Sequence, residues 1–324
     1  MSLPGRIDVH HHILPAPYVA ELARIGVGEG AGIPLPRWDP ASALEVLDRL
    51  GIAMAVTSIS APGVHFGDDA LARDLARRCN EISAKLVADH PTRFGAFAIL
   101  PLPDVKGALR ELEYALDVLK LDGVVLLTSQ SDGRYLGDPL FDDVMAELDR
   151  RAAVVFVHPT VPKTSESIRL EVPGFAAEFV FDTTRAAINL IWTGTMERRT
   201  NLRIILSHAG GATPYLAGRI GLLGAFPQFR ERAPKGAAHY LAQFHYDTAL
   251  SANAGALRSL QELVGSDRIL FGSDFPFAPE AIGRASIEGL ARYDGFDAAA
   301  RARVERENAQ ALFPRLAERL RDDA

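Results

Sequence analysis

Two histidines spaced two apart, His10 and His12, close the apolar-rich stretch Ile7-Asp8-Val9, and Pro15 and Pro17 follow them. In an extended chain, residues two apart point to the same side. The pattern therefore predicts a first strand whose end projects His10 and His12 together and His11 away. Two imidazoles side by side are half of a divalent metal site, because zinc takes nitrogen ligands tetrahedrally and a catalytic site keeps one position open. Three further chain segments end in the same way. Val157-His158-Pro159, Ser207-His208-Ala209-Gly210-Gly211 and Gly272-Ser273-Asp274-Phe275-Pro276 each close an apolar run with a group that can ligate or move a proton. Imidazole nitrogens joined by one carboxylate suit zinc, and also manganese or iron.

Such residues work only if the fold brings them together. Apolar runs at residues 7–10, 53–59, 95–99, 123–127, 154–158, 202–207, 244–248 and 269–272 predict eight strands. Amphipathic stretches at 68–90, 105–120, 140–151, 181–198 and 255–264 alternate with them as helices. Alternation of this kind implies a parallel sheet, and eight units imply closure into a TIM-type (β/α)8 barrel. No glycine-rich phosphate loop follows the first strand, which counts against an open doubly wound sheet. The reading is one domain over residues 1–324, with insertions after strands one and five (residues 13–50 and 159–180). These are expected to act as a flap over the barrel mouth and a substrate wall carrying Phe175 and Phe179. In such barrels the active site lies at the C-terminal ends of the strands, where these histidines and Asp274 stand.

Bulk properties exclude other classes. A net charge of -6 disfavours nucleic acid or an anionic membrane as partner. The one cysteine, Cys79, excludes an internal disulfide, and its neighbours Leu75 and Ile82 make it a core thiol. No signal peptide or membrane-length apolar run is visible, so the expected location is cytoplasmic.

The motifs together resemble the amidohydrolase superfamily. Ile7-Asp8-Val9-His10-His11-His12-Ile13-Leu14-Pro15, Trp38-Asp39-Pro40, His90-Pro91-Thr92-Arg93-Phe94 and His208-Ala209-Gly210-Gly211 with Pro214 and Gly218-Arg219-Ile220 are most similar to its aminocarboxymuconate semialdehyde decarboxylase-like branch. The resemblance implies that His10, His12, His158 and Asp274 ligate a metal and that His208 is the nearby acid/base. It also implies that Arg219 binds a substrate carboxylate across a dimer interface. The strand Val124-Val125-Leu126-Leu127-Thr128 lacks the bridging lysine of two-metal members, so one divalent ion is expected, zinc first and manganese second. The second substrate arginine of the branch has no counterpart in register. Arg37 is the nearest candidate, and the substrate is therefore expected to differ from that semialdehyde.

The leading expectation is a mononuclear metal-dependent, non-oxidative decarboxylase of a small hydroxylated aromatic or unsaturated carboxylic acid. His208 or Asp274 would protonate the carbon that bears the carboxylate. Hydrolysis of a small amide, lactone or ester by the same centre is the alternative, because both reactions need a Lewis acid and a proton shuttle. A metal- or ligand-binding protein without turnover is the third. The apolar girth of segment 181–198 (Phe181, Ala186, Ile188, Leu190, Ile191, Trp192) predicts a homodimer or higher homo-oligomer.

Overall fold

The computed structural model describes residues 5–168 and 171–321. Its ten strands are β1 (Arg6–His12), β2 (Glu29–Gly30), β3 (Ile33–Pro34), β4 (Ile52–Ser58), β5 (Phe94–Ile99), β6 (Gly123–Leu127), β7 (Val154–His158), β8 (Arg203–Leu206), β9 (His245–Asp247) and β10 (Ile269–Leu270). β2 and β3 pair as a hairpin, and the other eight form one sheet in the order β1-β4-β5-β6-β7-β8-β9-β10. Every neighbour pair in that sheet is parallel. The ring is joined where β1 meets the segment after β10. Val9 N–H donates to Phe271 O at 3.0 Å, His12 N–H to Phe275 O at 2.7 Å, and Asp274 N–H to His10 O at 2.8 Å. The expected barrel is thus observed, and the seam of the ring falls at the candidate metal ligands.

The first strand is longer than predicted and includes His11 and His12, with a register irregularity between Asp8 and His11. The last strand is shorter than predicted, because chain 271–275 bends over the barrel end while still bonding to β1.

Of the helices α1 (Ala16–Arg24), α2 (Pro40–Leu50), α3 (Asp69–Asp89), α4 (Val105–Glu113), α5 (Asp142–Arg150), α6 (Glu178–Trp192), α7 (Thr195–Arg198) and α8 (Thr213–Gly221), α1, α2, α3, α4 and α8 start at a side-chain cap or a proline. Asp39, Asp68 and Asp104 accept backbone N–H groups of the first turns of α2, α3 and α4, which satisfies donors that no carbonyl can reach. The segment expected as one helix over 181–198 is two, broken at Gly194, whose φ of 78° lies in the left-handed region. Its apolar girth is mostly covered by its own chain: Ala186, Leu190, Ile191 and Trp192 are buried, and Phe181 is exposed. The exposed apolar surface lies instead on α8 and just beyond it, at Tyr215, Leu222 and Phe226. Among the described residues no helix is long and apolar enough to cross a membrane. Cys79 is buried, as expected, and burial pushes its thiol up to about 12.

Candidate metal centre

The C-terminal ends of β1, β7, β8 and β10 meet at one point. His10 Nε2 lies 3.0 Å from His12 Nε2. Asp274 Oδ1 stands 3.2 Å from His10 Nε2 and 3.1 Å from His12 Nε2, and Asp274 Oδ2 is 3.5 Å from His208 Nε2. One ligand atom from each of His10, His158, His208 and Asp274 falls within 4.8 Å of the others, and all four residues are buried. The five side chains read from the sequence as ligands or acid/base therefore share one site. Arg219 does not join them. It stands in the last turn of α8 and is exposed. Arg37 is also exposed and does not line the cavity described below.

The hydrogen bonds fix which nitrogen of each ring faces the centre. His10 Nδ1 donates to Asp247 Oδ2 at 2.7 Å, and His158 Nδ1 donates to Pro159 O at 2.8 Å. His12 Nδ1 lies 2.8 Å from Ser58 Oγ, whose own hydroxyl points to His11 O at 3.5 Å, so the imidazole is the donor. With Nδ1 protonated, each Nε2 carries its lone pair toward the centre. Outer partners of this sort set the tautomer and orientation of metal-binding histidines. His158 Nε2 and both ring nitrogens of His208 are buried without a hydrogen-bond partner. A buried polar atom left so is costly unless something else satisfies it, and a cation at the centre would do so. Four imidazoles and one carboxylate form a donor set that fits zinc or manganese.

The electrostatics point the same way. Burial opposes charge on His10, but the carboxylates of Asp247 and Asp274 outweigh it and raise the ring to about 10. Burial takes His12 down to about 4, and burial with the neighbouring imidazoles takes His158 well below its ordinary value. Asp274 is buried too, yet His10 and the surrounding hydrogen bonds hold its carboxyl well below the usual range. The pocket keeps the Asp274 carboxylate ionised and His12 and His158 neutral, the states in which such groups ligate, while His10 would have to give up a proton to a bound cation.

Backbone strain accompanies this order. His208, Ala209 and Asp274 have φ of 53°, 55° and 63°, in the left-handed region that costs a non-glycine residue about 1–3 kcal/mol. Asp247 helps to hold the His208 turn, since its Oδ1 accepts His208 N–H at 2.9 Å. The two glycines after Ala209 are needed sterically, because a Cβ on Gly211 would strike Val180 O and Thr184 Oγ1. Asp247 thus anchors a ligand ring with one oxygen and the acid/base turn with the other. The sequence reading missed it, although it ends a strand with a polar side chain as His158 ends β7. Asp8 orients backbone at the seam: it accepts His10 N–H and Ser273 N–H, each at 3.0 Å.

Beside the centre lies a cavity of about 200 Å³. His158 and Asp274 form its reactive wall, while Ile33 of β3, Phe175, Phe179, Phe277 and Leu250 form the rest with Ser60. Both long insertions therefore cover the site, as expected. Phe179 packs edge-on to His158 with ring centroids 5.6 Å apart, and Phe277 packs similarly on His12 at 5.7 Å. Phe275 packs on His11, and Phe66 on the core. Among the described residues, no lysine or arginine lines this cavity.

Comparison with known proteins agrees with this geometry. A 6-methylsalicylic acid decarboxylase, acuB, of Aspergillus aculeatus is 38% identical over 323 residues, which cover 96% of this chain and 96% of the relative. A gamma-resorcylate decarboxylase of Rhizobium radiobacter is 30% identical over 288 residues, 83% of this chain and 85% of the relative. A crystal structure of a dihydroxybenzoic acid decarboxylase from Polaromonas, with bound manganese and the inhibitor 2-nitroresorcinol, superposes with a TM-score of 0.83 at 25% identity, covering 96% of this chain and 97% of that one. The family model described as amidohydrolase matches residues 7–315, and the chain belongs to that family.

Proposed function

We propose that this protein is a metal-dependent, non-oxidative decarboxylase of a small hydroxybenzoic acid. The observation that carries the reading is the placement of His158 and Asp274 on the wall of an apolar cavity of about 200 Å³, with His208 Nε2 3.5 Å from Asp274 Oδ2. An apolar cavity of about 150 Å³ is enough to bind benzene, so this cavity suits one substituted ring. His10, His12, His158 and Asp274 would hold one divalent ion, with zinc favoured by the imidazoles and manganese also compatible. When bound, that ion supplies Lewis-acid charge that fixes a carboxylate and a neighbouring hydroxyl.

The chain's residues supply the rest. Phe175, Phe179 and Phe277 enclose the ring and keep water from its faces. A proton taken up at the His208–Asp274 pair is delivered to the ring carbon that bears the carboxylate. The new C–H bond forms, the C–C bond to the carboxylate then breaks, and its electron pair returns to the ring as CO2 leaves. No oxidant or reductant is consumed. Among the described residues Ser60 is the only hydroxyl-bearing side chain on the cavity wall, so an alkyl group on the ring is better accommodated there than a second hydroxyl. We therefore favour a 6-methylsalicylate-like acid over a dihydroxybenzoate.

Arg219 fits this reading only through a second copy of the chain. Among the described residues the cavity wall carries no cation, and Arg219 sits between the exposed Tyr215 (86%) and Leu222 (67%). A homodimer docked through this face would bury that apolar surface and could present the guanidinium to the partner's substrate carboxylate, which it matches as a planar fork. The test is a panel assay that follows CO2 and ring products together. 6-Methylsalicylate should give CO2 and 3-methylphenol with a kcat/KM above that for 2,6-dihydroxybenzoate. Turnover of aryl esters or lactones with no CO2 from any hydroxybenzoate would favour hydrolysis and overturn the reading.

A further inference from the structure

A second cavity, of about 210 Å³, opens at the same end of the barrel but shares no lining residue with the first. Its floor is apolar, built from Ile99, Leu100, Leu102, Val125 and Leu126 at the ends of β5 and β6. Its rim is polar and carries the Lys163 ammonium with the hydroxyls of Ser129, Thr160 and Thr164. Among the described residues no aspartate or glutamate lines it.

Neighbouring groups hold the rim in shape. His65 Nε2 donates to Asp69 Oδ1 at 2.9 Å, which leaves Nδ1 to accept the Ser131 hydroxyl at 2.7 Å and Gly67 N–H at 3.3 Å. This chain ties the loop after β4 to the loop after β6. Across the cavity, the fully buried Asp182 of α6 accepts the Tyr135 hydroxyl at 2.5 Å and Thr160 N–H at 3.1 Å, and also bonds the Thr128 hydroxyl. Three loops are therefore fixed around a hollow that a single ring would fill.

We infer that this cavity is a second ligand site, selective for a small aromatic anion, with the ring on the leucine and valine floor and the anionic group at Lys163. The apolar floor selects the ring. One cation with several hydroxyl donors selects negative charge. The site lacks the converging imidazoles of the first and binds without reaction. Thr160 lines it two residues after His158 lines the other cavity, so the two ligands sit on opposite sides of one short segment.

The test uses salicylate as probe and the full-length chain, with stoichiometry measured by calorimetry or equilibrium dialysis. Wild type should bind one more salicylate per chain than Ser131→Phe, which fills the hollow. Lys163→Glu, an exposed change, should weaken the additional site by about tenfold or more, since it reverses the charge facing the anion. Neutral benzyl alcohol should show no additional site. Equal stoichiometry and affinity in wild type and both variants, or equal binding of benzyl alcohol, would overturn the inference. The comparison is by difference, so it holds whether or not salicylate also enters the metal-side cavity.

Discussion

The two cavities at the barrel mouth have nearly the same volume and share the chain segment that follows β7, yet their walls differ in kind. One is faced by His158 and Asp274 within a cluster whose ring nitrogens are aimed by Asp247, Ser58 and Pro159 O. The other is faced by hydroxyls and one lysine around an apolar floor. Both can enclose a ring, but only the first converges lone pairs and a proton-moving pair on one point. The difference teaches that enclosure is common in this barrel and that chemistry depends on the orienting hydrogen bonds behind the functional groups. Those bonds are made before substrate arrives, so no reorganisation is needed at the moment of reaction.

The largest effect should come from removing a ligand. His158→Ala or Asp274→Ala should lower the metal content of the purified protein and reduce kcat by about a thousandfold or more, because acid–base chemistry and charge stabilisation fail together. Full metal content with normal turnover in either variant would remove the distinction between the cavities. His208→Ala comes next. It should keep its metal and lose about a hundredfold in kcat, the scale of a lost general acid. Loss of metal instead would make His208 a ligand.

Asp247→Asn tests the layer behind the ligands. It keeps the shape but weakens the hold on His10 Nδ1, and should reduce metal affinity by about 10–100-fold, measured by competition with a chromophoric chelator. Arg219 should matter less in its own chain than in its partner. Arg219→Ala and His208→Ala chains, each nearly inactive alone, should recover up to about a quarter of wild-type activity after 1:1 subunit exchange, since half of the dimers are mixed and each has one intact site. No recovery after verified exchange would place Arg219 outside the partner's site. The smallest effect is expected at Cys79, which is buried and protonated. The native enzyme should resist thiol reagents at pH 8 without loss of activity, and should react once unfolded.

Much of the reactive wall was legible in the sequence, because strand periodicity is two and barrel strands deliver their last side chains to one face. His10 and His12 could be paired by spacing alone, and His158, His208 and Asp274 by their positions at strand ends. What stands behind them was not legible. Asp247 meets His10 across 237 residues of chain, and Ser58 meets His12 across 46, through strand adjacency that no local pattern records. The break at Gly194 was hidden for a related reason: apolar residues continue through it, and only the left-handed backbone reveals the turn. The barrel itself followed from alternation, whereas the second cavity depends on how three loops pack and leaves no motif.

The most direct test of the central claim is the rate of CO2 release from 6-methylsalicylate by chelator-treated protein before and after return of a single equivalent of zinc or manganese. Chelated protein should release no CO2 above background. Reconstitution should restore turnover in proportion to metal bound and saturate at one ion per chain, with one 3-methylphenol formed for each CO2. Undiminished CO2 release by the metal-free protein, or a fully reconstituted protein that leaves every hydroxybenzoate intact, would contradict the account.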